Sequence, residues 1–190
     1  MRKFLLIANK AATAPFKLND LAGSAGRMDI VCRCVSSSLF LSHGIRKDTE
    51  FHVVLLGPPN PPKHISFYGS SVRRMGPDER NIASFISKTL SGKKFPGVEL
   101  RDEGVLETIE AIEYDEGFLL EMGGKDLREI EFLPNRDYLF VLGDHLGIPE
   151  EILKYLKTNE FGEISVGPLK YFSSHCIVMV HNEMDRRFCS

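Results

Sequence analysis

The sequence has no tryptophan and only four cysteines, Cys32, Cys34, Cys176 and Cys189. None falls in a Cys-x-x-Cys pair, so neither a zinc ribbon nor a thioredoxin-type dithiol is indicated, and reduced thiols are the default. Cys32 and Cys34 stand two apart and face different sides if the segment is helical. No apolar run approaches the roughly 18 residues that span a bilayer. The opening stretch Met1 to Ala8 has a basic tip, but its apolar part is too short for a signal sequence and reads as a first strand. These absences place the chain in the cytoplasm, off the membrane. The dinucleotide fingerprint G-x-G-x-x-G and the P-loop are also missing. Net charge is nearly absent, −2 over 190 residues, which by itself argues against a nucleic-acid partner.

The charge that is present is unevenly placed. Residues 1–100 carry 15 Lys/Arg against 7 Asp/Glu, a balance of +8, whereas residues 101–190 carry 9 against 19, a balance of −10. A basic half beside an acidic half suits an anionic partner on one face, although two halves that simply pair with each other would look the same. With 43% hydrophobic and 26% charged residues the chain is an ordinary globular one, long enough for one well-filled core.

Continuous apolar runs alternate with helical patterns. Strands are expected at Lys3–Ala8, Phe51–Leu56, His64–Tyr68, Phe118–Met122, Asp137–Leu142 and Glu163–Val166. Helices are expected at Met28–Ser42, Pro77–Leu90, Gly104–Tyr114, Pro149–Thr158 and Ser174–Phe188. Pro15–Arg27 reads as a loop, and the run Gly57-Pro58-Pro59-Asn60-Pro61-Pro62 closes the second strand. The fold class this implies is α/β: a mostly parallel sheet with helices on both faces. Ligands of such sheets bind beyond the carboxyl ends of the strands.

Two strand ends carry turn chemistry. Leu142-Gly143-Asp144-His145-Leu146-Gly147 places glycines where backbone can approach a flat ligand closely. Ile164-Ser165-Val166-Gly167-Pro168-Leu169 ends in a rigid Gly-Pro bend, and Ser173 or Ser174 can cap the helix that follows. Each alone matches an ordinary turn; the pair, about twenty residues apart, is the stronger signal.

With Phe140–Gly147, Ile164–Leu169, His175-Cys176-Ile177-Val178 and His181-Asn182-Glu183-Met184-Asp185, the chain resembles the SPOUT methyltransferases. Within them it is similar to the archaeal tRNA pseudouridine N1-methyltransferases. The blocks Gly26–Val35, Leu41–Arg46 and Val72–Arg80 agree, and the likeness weakens only over 92–135. The resemblance implies a single SPOUT domain over 1–190, with 1–100 as a substrate-side half and 101–190 as a cofactor-binding half tied in a deep trefoil knot. It implies S-adenosylmethionine as cofactor, no metal, a homodimer packed through the knot, and pseudouridine 54 of the tRNA T-arm as substrate.

On that resemblance the cofactor is surrounded by Leu120, Leu142, Gly143, Asp144, Gly147, Ile164, Ser165, Val166, Gly167, Pro168, Leu169, Lys170, Tyr171 and Cys176. Cys176 reads equally as a small buried hydrophobe. The candidates for the base are Arg27, Asp29 and Arg33. Asp29 can accept the N1 proton or orient the base edge, Arg27 can stabilise a carbonyl or grip a phosphate, and Arg33 can be a plain helical ion-pair partner of Asp29. The proton can also leave to water. His145 and His175 lie near the cofactor loops and read more simply as structural hydrogen-bonders. Arg46, Lys47, Arg73, Arg74 and Arg80 form a candidate phosphate-contacting patch, for which a solvated surface is the plain alternative. A methyltransferase acting on another RNA such as ribosomal RNA, a non-catalytic RNA-binding module and a dehydrogenase-like enzyme remain rival readings; the missing glycine fingerprint speaks against the last.

Overall fold

The computed structural model describes residues 1–188, so Cys189 lies outside the described residues. The first strand, β1 (Arg2–Ala8), is buried at every position and is flanked on both sides, which explains its unbroken apolar run. It pairs in parallel with β4 (Thr49–Leu55) and with β8 (Tyr138–Gly143). Beyond β8, in parallel, come β7 (Glu116–Asp126) and the edge strand β9 (Gly162–Ser165). Beyond β4 the sheet turns antiparallel through β5 (Lys63–Tyr68) and β6 (Val98–Arg101). The seven strands thus run β6-β5-β4-β1-β8-β7-β9, and a two-stranded ribbon, β2 (Phe40–Leu41) and β3 (Gly44–Ile45), stands apart.

Helices cover both faces. On one lie α1 (Met28–Leu39), α2 (Glu79–Leu90) and α5 (Ser173–Phe188), over a core that includes Phe4, Phe51, Phe67, Tyr138 and Phe140. On the other lie α3 (Val105–Ala111) and α4 (Glu150–Thr158), over Leu5, Ile7, Val54, Leu139 and Val141. Alternate residues of β1 serve the two cores, as the two-residue period of a strand requires. Among the described residues no helix is long and apolar enough to cross a membrane.

Several boundaries differ from expectation. The first helix stops at Leu39, not Ser42, because Phe40 turns extended and leads into the ribbon, leaving Leu41 half exposed. The helix expected from Pro77 begins at Glu79; Asp78 is its N-cap and accepts from the Asn81 amide at 2.8 Å. Strand β6 was not anticipated: it is four residues long, alternates with charge, and needs β5 as its template. Strand β7 runs on to Asp126, because the pairing with β9 slips so that both Leu120 and Lys125 face Ile164. Residues 121–124 loop out between these two contacts. Gly124 sits at the neck of that excursion, where a Cβ would lie 2.6 Å from the backbone of Glu163 and Ile164.

Candidate active site

The parallel strands β1, β8, β7 and β9 end on the same side of the sheet. Two clefts meet there. The first has a cavity volume of about 140 Å³ and opens to solvent. It is lined by the ends of β7 (Leu120), β8 (Leu142, Gly143), the loop after β8 (Asp144, Gly147), β9 with its following bend (Ile164, Ser165, Val166, Gly167, Leu169, Lys170, Tyr171) and Cys176 of α5. Every residue anticipated for the cofactor is here except Pro168, which faces a neighbouring surface groove with Gly123 and Arg128.

The walls are made to be approached. A Cβ on Gly143 would lie 2.4 Å from the carbonyl carbon of Gly147, so only glycine lets these two loop segments touch; Gly147 itself has φ +80°, in the left-handed region. Among the described residues, the amides of Leu169, Lys170 and Tyr171 have no backbone partner and lie in a segment that lines the cleft. Apolar Leu120, Leu142, Ile164 and Val166 flank that polar run, as an adenosine needs for its faces and its edge. The cleft therefore fits S-adenosylmethionine.

Sequence reasoning missed the residue that fixes the glycine loop. Asn9, just beyond β1, donates its amide and its Nδ2 to the two carboxylate oxygens of Asp144, both at 2.8 Å, and Nδ2 also reaches the Gly147 carbonyl at 2.8 Å. Asp144 additionally accepts from the Leu146 amide at 2.9 Å. Only the register of β1 against β8 reveals this pairing; nothing in the local sequence does. Ser173 joins the two cofactor loops by donating to the Gly143 carbonyl at 2.7 Å.

The second cleft shares Asp144, Lys170, Tyr171 and Ser173 with the first and adds Arg27, Ile30, Arg33, His145, Phe172 and His175. Arg27 caps α1 in a left-handed conformation (φ 66°, ψ 34°), a strained state for a residue with a Cβ, and follows Gly26, which has φ 66°. That backbone turn aims Arg27 at Asp29: Nε donates to Oδ1 at 3.0 Å and Nη2 to Oδ2 at 3.1 Å. Arg33, one turn on, donates Nη2 to the same Oδ2 at 2.8 Å and lies 3.5 Å from Glu79 of α2. Burial alone raises the pKa of Asp29, but the hydrogen bonds and charges of the two arginines outweigh it, and the carboxyl is held below its ordinary value. Arg33 is therefore the ion-pair partner that helical spacing allowed, and also lines the cleft. Cys176 has its pKa raised by burial and is a thiol at neutral pH. His145 approaches Asp144 at 3.7 Å, and His175 meets the exposed ring of Phe172 edge-on at 5.3 Å.

The arginines expected to face RNA divide. Arg73, Arg74 and Arg80 are exposed. Arg46 instead turns inward to Asp185, with Nη1 at 3.0 Å and Nη2 at 2.5 Å, and Lys47 donates to the Gly69 carbonyl at 3.2 Å. Among the described residues no group of three or more His, Cys, Asp or Glu is arranged to hold a metal ion.

Residues 1–188 match the family model described as "Putative SAM-dependent RNA methyltransferase". A tRNA (pseudouridine(54)-N(1))-methyltransferase of Methanococcoides burtonii is 45% identical, covering 98% of this chain and 96% of its own. The chain belongs to this family. Family members of the same description from Methanosarcina mazei and Methanocaldococcus jannaschii are 46% and 41% identical, each over 98% of this chain and 92% and 98% of their own. Among solved structures, Archaeoglobus fulgidus Nep1 bound to S-adenosylhomocysteine superposes with a TM-score of 0.68 at 19% identity, covering 97% of each chain, which establishes the shared fold.

Proposed function

We propose that this family member transfers the methyl group of S-adenosylmethionine to N1 of pseudouridine 54 in the T-arm of tRNA. The observation that carries the reading is the junction of the two clefts: a glycine-walled adenosine site opens, through Asp144, Lys170, Tyr171 and Ser173, onto a site lined by Arg27 and Arg33, which the buried Asp29 holds from behind. Family relatives that match nearly end to end bear the corresponding name.

S-adenosylmethionine, when bound, supplies a methyl carried on a sulfonium, so no metal is needed. Pseudouridine is joined to ribose through carbon and therefore keeps a hydrogen on N1, which uridine does not have. In the transfer the N1–carbon bond forms as the sulfur–carbon bond breaks, and the N1 proton departs. Asp29 is a poor acceptor for that proton, because both its oxygens already receive hydrogen bonds and its pKa is depressed. We assign Asp29 to holding the two guanidinium groups, Arg27 to the charge that develops on a base carbonyl, and water as the final proton acceptor. Phe172 beside His175 offers an apolar face to a base turned out of its stack.

Three further features belong to the same reading. The chain leaving edge strand β9 returns past the ends of β7 and β8 to pack α5 against α1. Arg187 of α5 donates to the carbonyls of Arg128 and Ile130 in the segment between β7 and β8. We infer that this is the threading of a trefoil knot. Exposed Met122, Leu169 and Val178 near the proposed knot favour a homodimer packed through this region. Arg73, Arg74 and Arg80 serve tRNA phosphates in a cytoplasmic enzyme.

The reading is tested by mass spectrometry of nucleosides from a strain lacking the gene. Loss of N1-methylpseudouridine from tRNA is expected; intact tRNA with altered ribosomal RNA refutes the assignment.

A further inference from the structure

The cations of the basic half divide into two populations. Arg2, Lys3, Arg27, Arg33, Arg46 and Lys63 each have a carboxylate within 4.0 Å. Lys10, Lys17, Arg73, Arg74, Arg80, Lys88, Lys93 and Lys94 have none among the described residues, and all eight are exposed. Four of these eight, Arg80, Lys88, Lys93 and Lys94, fall between residues 80 and 98, a stretch without a single Asp or Glu. A surface evolved only for solubility mixes the two signs; a run of one sign without acidic neighbours marks a site for a polyanion.

The fold gathers these residues on one strip. Helix α2 buries Ile82, Ala83, Ile86 and Thr89, so Arg80, Ser84, Ser87 and Lys88, at helical spacing, form its outer side. The loop after β1 docks on that side: the Phe16 amide donates to Ser87 Oγ at 3.2 Å, and Ser87 Oγ donates to the Phe16 carbonyl at 3.3 Å, which brings the next residue, Lys17, to this helix. At the other end the Lys93 amide donates to the Lys88 carbonyl at 3.0 Å, Phe95 packs on Phe85 with ring centroids 4.5 Å apart, and the Lys93 ammonium sits 5.4 Å from the centre of the Phe95 ring. The strip is therefore held in place. Its near end joins the active site, because Glu79 of α2 reaches Arg33, and Asn81 accepts from the Gly76 amide at 2.8 Å and so anchors the loop of Arg73 and Arg74. From the α2 N-terminus the helix extends about 18 Å, far beyond the reach of one nucleotide.

We propose that the outer side of α2, with Lys17, Lys88, Lys93 and Lys94, is a second RNA track that grips the phosphate backbone away from the nucleotide being methylated. The inference rests on the methyltransferase reading, since its partner is the same RNA. Phosphate contacts of this kind set register and affinity and carry no base information. The strip thus positions the RNA while Arg27, held by Asp29, meets the base.

The test compares the full-length protein with a K88E/K93E/K94E variant, binding a tRNA transcript that contains pseudouridine at position 54, over a range of salt. The dissociation constant is expected to rise at least about tenfold, and the slope of log K against log salt to become shallower by about 2. Affinity for S-adenosylmethionine is expected to stay the same, which certifies the fold. Should that affinity fall, the milder K93Q/K94Q variant, altered only in the segment after α2, decides by the same slope. Unchanged RNA affinity and slope in a variant that still binds S-adenosylmethionine overturn the proposal. So does binding of the strip to phosphatidylserine vesicles that tRNA fails to displace. Failure of the unaltered protein to bind tRNA at all strikes the methyltransferase reading instead.

Discussion

Both oxygens of Asp29 are taken by guanidinium groups, and this decides what its removal does. Asp29→Asn leaves Arg27 and Arg33 without their shared counter-charge, so the guanidinium we assign to the base is misplaced. Turnover is expected to fall by about 10²-fold, while the dissociation constant for S-adenosylmethionine, measured by calorimetry, changes little. Equal loss of cofactor affinity would show that Asp29 serves the cofactor cleft. The depressed pKa also predicts that the pH profile of kcat/KM has no limb from Asp29 near neutrality. His181 offers a second residue-scale test. It is buried, its Nε2 donates to the Ser38 carbonyl at 3.0 Å and its Nδ1 accepts from Arg2 at 3.1 Å. Burial, with Arg46 and Arg2 nearby, pushes its pKa down to about 3. The native state keeps it neutral, whereas the unfolded chain takes up a proton near pH 6.5. Stability is therefore expected to decline as pH falls below about 6.5, by at most about 1.4 kcal/mol per pH unit from this group. Urea unfolding at pH 7, 6 and 5 measures the decline, and His181→Gln, which can keep both hydrogen bonds, is expected to flatten it. A slope unaltered by His181→Gln would assign the acid sensitivity elsewhere, for instance to the buried His64.

Among the elements, the loop after β8 is the one on which the proposed cofactor site depends most. Gly143→Ala drives a Cβ into the backbone of Gly147, where nothing flexible can yield. The expected result is a loss of S-adenosylmethionine affinity of more than about tenfold with the circular dichroism spectrum retained; unchanged affinity would mean the loop does not contact the cofactor. This loop was readable in the sequence because its glycines end an apolar strand. Asn9, which fixes Asp144, was not readable, because the contact spans 135 residues and exists only through the pairing of β1 with β8. Helix α1 was overextended because Phe40 and Leu41 continue an apolar pattern that the ribbon, not the helix, uses. Strand β6 escaped notice because Val98-Glu99-Leu100-Arg101 is short and becomes a strand only against β5. Arg46 looked like an RNA contact beside Lys47, and no local signal betrays its distant partner Asp185.

For the whole molecule, the continuous apolar strands made the two-faced parallel sheet legible, whereas the charge asymmetry left a polyanion and mutual pairing of the two halves equally open. What the charge count could not separate was cations already neutralised in the fold from those left on its surface, since pairing is a property of three dimensions. The apolar residues left exposed around the clefts lead to an expectation about assembly. Light scattering on the purified protein should give twice the 21.4 kDa chain mass, and Val178→Glu should shift it toward one chain. A monomer at micromolar concentration with full activity would remove the dimer from the account. The most direct test of the central claim is methyl transfer from radiolabelled S-adenosylmethionine to two otherwise identical tRNA transcripts, one with pseudouridine and one with uridine at position 54. Label recovered as N1-methylpseudouridine from the first transcript, with none in the second, is the predicted result. Equal labelling of both, or labelling of neither by a protein that binds the cofactor, would contradict it.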